Sequence, residues 1–262
     1  MQTAIDIHDL RFAPAGEVIL DGVDLRVEQG EFVCLLGPSG AGKSTTLRLL
    51  GGLMEGSGDI EVYGESPHHG WRRLAYVFQS PRLVRWRSAI DNVMLGMELR
   101  DGRGDKAARR ERARAVLERV GLADLADRPA HLLSGGEQQR VAIARALAVE
   151  PDVLLMDEPF SALDVRTRTE LRRQMVELWQ ETGLTVVFVT HDVDEALALG
   201  ARAVVLSRKP TRVLADVRID LPHPRDRESA EADVHREAIL AAFGDSRAEV
   251  EQEIEAEGEE AA

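Results

Sequence analysis

A glycine-rich loop lies between a buried apolar run and a helical pattern, and this junction constrains the fold more than any other feature of the chain. EFVCLL, ending at Leu36, is continuously apolar, the pattern of a strand covered on both faces of a sheet. GPSGAGKST follows at once from Gly37, and Leu47, Leu50 and Met54 then recur at helical spacing, so a helix is expected from Lys43. The nine residues satisfy G-x-x-x-x-G-K-[ST] in the strand–loop–helix setting that the pattern needs. Gly37, Gly40 and Gly42 let the backbone curl with its N–H groups inward, and the helix N-terminus adds the positive end of its dipole. Gly37, Pro38, Ser39, Gly40, Ala41, Gly42, Lys43, Ser44 and Thr45 are therefore candidates to wrap a phosphate chain. Lys43 would supply a cation for the β- and γ-phosphates, and the Ser44 hydroxyl a ligand for Mg²⁺. Only three lysines accompany 30 arginines, so a lysine at this position has a specific cause.

The rest of the chain reads as the same architecture. AIDIHDLRF and EVILDGVDLRV alternate apolar and polar residues and predict an N-terminal antiparallel β subdomain. Gly51, Gly52, Gly56 and Gly58 separate the first helix from the strands DIEVYG and RRLAYVFQ. From about 88 to 148 strand signals vanish. There RERARAVLERVGL sets Ala113, Val116, Leu117 and Val120 on one stripe, with arginines as the solvated face. Strand–helix alternation returns with VLLMD, helices around 166–181 and 192–199, LTVVFVT and ARAVVLS. The expected fold is α/β: a P-loop core with a mostly parallel sheet, interrupted by a helical insertion. VLLM carries Asp157 to the sheet edge beside the loop, placed to hold Mg²⁺, and Glu158 would face the γ-phosphate and polarise a water. Loop and acid pair together indicate a nucleoside triphosphatase.

Composition removes other classes. The net charge of −13 argues against a general nucleic-acid binder. Much of that charge lies in 245–262, which holds eight acids and one arginine and reads as an acidic disordered tail. A single cysteine, Cys34, excludes an intramolecular disulfide and a cysteine zinc site. His68 and His69 lack a third ligand. No apolar run approaches membrane-spanning length, and MQTAIDIHDL has no signal-peptide pattern, so a cytosolic protein, or one held at a membrane by partners, is expected.

LSGGEQQR at 133–140 puts Ser134 as the cap of a helix expected to start at Gly136, a second anion-binding end. Between the loop and the acid pair, this segment resembles the signature of the ATP-binding cassette (ABC) family, and the likeness covers about residues 3–210. On that resemblance Gln79 matches the Q-loop glutamine, which links Mg²⁺ and the attacking water to the transmembrane partner. SALD ending at Asp164 matches the D-loop, His191 the switch histidine that contacts the γ-phosphate, and Phe12 the aromatic that stacks on adenine. Singly, each has a plainer reading: Phe12 as a core aromatic, Gln79 as a strand-end polar residue, His191 as a helix cap. Their order carries the resemblance. It implies ATP and Mg²⁺ as ligands and a head-to-tail homodimer, or a pair with a paralogous subunit, with ATP at the interface. It also implies transmembrane permease subunits, an indirect solute-binding protein, and a peripheral place on the cytoplasmic face of the membrane.

FQSPRLVRWRSAIDNVMLGMEL and SRKPTRV…DLPHPRDR are similar to the nitrate/sulfonate/taurine importer group. Arg85 and Arg87 depart from that group beside Trp86, and the segment from Gly51 to Gly58 is short. Another importer class is the alternative, and a soluble cassette ATPase acting on DNA or ribosomes a more distant one, since the chain has one cassette and no long coiled coil. The domains expected are a cassette over 1–222, a C-terminal helix within 223–244 (near 227–242), and the tail.

Overall fold

Alternating and continuous apolar stretches sort into two sheets. The structure, a computed structural model, describes residues 2–102 and 104–244, so the acidic tail expected over 245–262 lies outside the described residues. The alternating strands β1 (Thr3–Phe12) and β2 (Leu20–Glu28) join β4 (Ser57–Val62) in an antiparallel sheet of order β2-β1-β4. The continuous runs form the second sheet. β3 (Phe32–Leu36), β5 (Leu74–Val77), β6 (Val153–Asp157), β7 (Thr185–Val189) and β8 (Arg202–Leu206) lie parallel in the order β5-β6-β7-β3-β8. An antiparallel strand, β9 (Val213–Arg218), closes the β8 edge.

Why the runs are apolar throughout follows from where successive side chains go. Phe32, Cys34 and Leu36 enter the layer shared with the helical insertion, and Val33 and Leu35 enter the layer under the antiparallel sheet. Leu154 and Met156 divide from Val153 and Leu155 in the same way. A strand with both faces covered has no polar position to spare. Cys34 is wholly buried, and burial holds its thiol pKa well above the ordinary value.

Helix α1 (Lys43–Leu50) follows β3. The insertion holds α2 (Ala89–Asp101, capped by Ser88), α3 (Lys106–Arg119, capped by Asp105) and α4 (Gly135–Leu147), and α4 also packs on β5. α5 (Val165–Thr182) and α6 (Val193–Leu199) connect the later strands. A final helix, α7, covers 230–244 and buries Ala232 and Ile239. It begins a little later than the sequence suggested. β9 was not anticipated: it lies at a sheet edge and its side chains are half-exposed. No helix among the described residues is long and apolar enough to cross a membrane.

Candidate active site

β3 delivers the chain to Gly37, where the loop is pressed against its walls. A Cβ on Gly37 would lie 3.0 Å from both Ala41 Cβ and the Leu206 carbonyl oxygen. Gly42, at φ +71°, would put one 2.7 Å from the Thr211 hydroxyl and 2.9 Å from Leu20. Only glycine fits that conformation and that space. Gly42 is also the N-cap of α1 and brings no side-chain cap, which leaves the first-turn N–H groups for an anion. Lys43 is 5% exposed, and its ammonium donates to the carbonyls of Gly37 (2.7 Å) and Pro38 (2.9 Å). Burial lowers its pKa from the ordinary lysine value, opposed by the charges of Glu158 and Asp157. The Thr211 hydroxyl donates to the Ala41 carbonyl at 3.1 Å and braces the loop from behind. No local pattern marks Thr211 in the sequence.

β6 lies between β5 and β7 and ends in Asp157, which is 2% exposed. The Ser44 hydroxyl donates to Asp157 Oδ1 at 2.6 Å, and the Tyr76 hydroxyl of β5 to Oδ2 at 3.4 Å. Burial raises the carboxyl's pKa above the ordinary range, opposed by the Ser44 hydrogen bond and by Arg48. Glu158 has a left-handed φ of +43°, a strained state for a residue with a Cβ. Its N–H donates to the Val189 carbonyl at 3.1 Å. In this conformation its Oε2 lies 3.3 Å from Gln79 Nε2 and 3.4 Å from His191 Nδ1. The turn that carries His191 has its own support. Thr190 donates to Glu195 (2.7 Å), and Arg172 bonds to Glu195 (2.7 Å) and Asp192 (3.2 Å).

Lys43, Ser44, Gln79, Asp157, Glu158 and His191 thus gather at one edge of the sheet. Phe12 ends β1 opposite Leu20, the residue that walls Gly42, so it stands beside the loop. The signature is elsewhere. Ser134 Oγ accepts from the Glu137 N–H (3.3 Å), and Glu137 Oε2 accepts from the Ser134 N–H (2.8 Å), a closed capping box. Ser134 and Gly135 are exposed, and the hydrogen bonds of the Ser134 and Glu137 side chains stay within their own helix end. Asp164 caps α5 by accepting from the Thr167 N–H at 3.0 Å. Its exposed neighbours, Ala162 and Val165, leave this corner facing solvent.

The Ser44 hydroxyl and the buried Asp157 carboxylate, 2.6 Å apart, form a hard-oxygen pair that fits Mg²⁺ taking its other ligands from phosphates and water. The uncapped α1 terminus fits the phosphates themselves. A phosphate loop after β3 and an acid pair at the end of β6 define the class, a P-loop nucleoside triphosphatase.

The family model described as "ABC transporter" matches residues 20–161. The aliphatic sulfonates import ATP-binding protein SsuB of Mycobacterium sp. (strain MCS) is 47% identical over 92% of this chain and 94% of its own length. The bicarbonate transport ATP-binding protein CmpD of Synechococcus elongatus is 40% identical over 80% of this chain and 76% of its own length. Among solved structures, the dimeric post-hydrolysis ATP-binding cassette MJ0796, bound to ADP and Pi, superposes with a TM-score of 0.75 at 33% identity, covering 82% of this chain and 98% of that one. The cbiO1 subunit of the Clostridium perfringens cbiONQ transporter gives 0.76 at 27% identity, covering 92% and 93%. The chain belongs to the ABC transporter family, as one of its ATP-binding, ATP-hydrolysing subunits with Mg²⁺ as the metal.

Proposed function

We propose that this subunit drives uptake of a small oxyanion, an aliphatic sulfonate first of all, and that Glu158 is its catalytic base. The observation that carries the chemistry is the Glu158 carboxylate flanked by Gln79 and His191, beside the buried Lys43. Lys43 and the α1 terminus hold the phosphates. Ser44, Asp157 and Gln79 hold Mg²⁺, which when bound offsets phosphate charge in the transition state. Glu158 takes the proton of the attacking water, with Gln79 and His191 fixing its carboxylate and His191 reaching the γ-phosphate. Phe12 stacks on adenine.

Ser134, Gly135, Gly136 and Asp164 serve the ATP of a second subunit, identical or paralogous, in a head-to-tail dimer. Dimeric MJ0796 supports that reading. The dimer sits on the cytoplasmic face of the membrane against permease subunits, which receive solute from a solute-binding protein. Arg85, Trp86 and Arg87 follow the Q-loop, and Trp86 is 82% exposed, a surface suited to an acidic permease segment.

The solute rests on similarity to ATP-binding proteins of aliphatic sulfonates import across nearly their whole length. Deleting the gene and testing growth on alkanesulfonates as sole sulfur source checks it. Loss of growth there, with normal growth on sulfate, is expected. Normal growth on sulfonates but a requirement for added bicarbonate, or failure on nitrate as sole nitrogen source, moves the assignment to another oxyanion.

A further inference from the structure

The segment after β5 is held by side chains of the helical insertion. Gln139 of α4 donates its Nε2 to the Phe78 carbonyl at 3.0 Å. Farther along the same helix, Arg145 donates to the carbonyls of Pro81 and Arg82, both at 2.9 Å. The Arg82 guanidinium stacks on the Phe78 ring at 4.0 Å. Asn92 of α2, wholly buried, accepts from the Val84 N–H and donates to the Val84 carbonyl. Toward the sheet edge the same segment carries Gln79, 3.3 Å from Glu158.

Two features separate Gln139 and Arg145 from ordinary packing residues. Gln139 is 0% exposed, and its Oε1 has no hydrogen-bond partner among the described residues. An orphaned buried acceptor is destabilising, and an apolar side chain of the same length would fill the space without one. What the glutamine adds is the bond to Phe78, whose carbonyl belongs to the peptide plane from which Gln79 departs. Arg145 makes no ion pair among the described residues and commits both arms of its planar fork to two adjacent carbonyls, a geometry that lysine cannot copy.

We propose that Gln139 and Arg145 are positioning residues for Gln79: they fasten the 78–82 segment to the helix that begins at Ser134, so that Gln79 and the signature move as one piece relative to Glu158. The proposal rests on the roles given above to Gln79 and Glu158. A double-mutant cycle in the assembled transporter, with full-length subunit, tests it. Gln139→Met keeps the volume and removes the donor, and a misplaced Gln79 lowers kcat on the order of ten- to a hundredfold, with a much smaller rise in KM for MgATP because Ser44 and Asp157 still hold the metal. Combined with Gln79→Ala, it should cost no more than Gln79→Ala alone, because both act through one side chain. Losses that multiply in the double variant, or a Gln139→Met enzyme with wild-type kcat, overturn the proposal. If Gln79→Ala itself retains full kcat, the role of Gln79 falls and this proposal with it. Should Gln139→Met fail to fold, Arg145→Lys enters the same cycle with the same expected outcomes.

Discussion

Helix α1 follows a glycine N-cap and α4 a serine N-cap, and their first turns are in opposite states. At α1 no side chain caps the end, the loop is pinned by Thr211 and Leu20, and Lys43 and Ser44 tie it to the acidic edge. At α4 the end is exposed and closed on itself through Ser134 and Glu137. A helix end attracts an anion by about 0.3–1 kcal/mol, up to ~2 when partly buried. A side-chain cap contributes about 0.5–2 kcal/mol. The two are of equal size, so a phosphate reaching α4 gains little by displacing its cap. On the function proposed above, α1 holds nucleotide by itself, whereas α4 contributes only when ATP already bound to another subunit is brought to it.

The largest expected effect separates binding from chemistry at the α1 side. Glu158→Gln should keep MgATP bound while phosphate release falls about 10²–10⁴-fold, and Lys43→Ala should weaken nucleotide binding as well. Wild-type turnover by Glu158→Gln with its permease present removes the base assignment. Next, Ser134→Arg in the Glu158→Gln background should abolish the ATP-dependent shift from monomer to dimer on a sizing column. Its single-subunit affinity for ATP should not change; a fall would mean that α4 helps to bind nucleotide within one chain and would break the contrast.

Glu137→Gln sharpens the contrast. Glutamine can still close the box, but the carboxylate that competes with phosphate is gone, so the ATP-dependent dimer should tighten roughly two- to fivefold. The smallest effect is at Asp157. Its folded pKa is raised, so its contribution to stability is full below the unfolded value and lost as pH rises through the folded one. At neutral pH, without Mg²⁺ or nucleotide, Asp157→Asn should melt higher than wild type, and the advantage should fade on acidification. An advantage that grows toward low pH would contradict the burial cause.

The parts of this molecule legible in the sequence are those whose cause is local. β3, β6 and β7 show as unbroken apolar runs because their side chains fill two layers by turns. The loop shows because glycine, lysine and serine each meet a need within nine residues. Thr211, Tyr76, Gln139 and Arg145 did not show. Each acts through a hydrogen bond to a residue far away in sequence, such as Thr211 to Ala41 or Gln139 to Phe78, and no periodicity records such a pairing. β9 escaped for a related reason: an edge strand takes its partner, β8, from the fold and keeps half its surface in water. The twist at Glu158 is likewise invisible in an acid pair read as text, though it sets which way the carboxylate faces.

Cys34 gives the protein an experimental property. Its sulfur is sealed inside the sheet, against the Gly200 turn, where even a Cβ on that glycine would lie only 2.8 Å away. With its thiolate suppressed by burial, it will not react with maleimides or spin-label reagents while the chain is folded. The native sequence is therefore already a blank background for site-directed labelling. Single cysteines placed at Ser134 or Ser39 can be cross-linked, or measured by distance spectroscopy, without first altering the core.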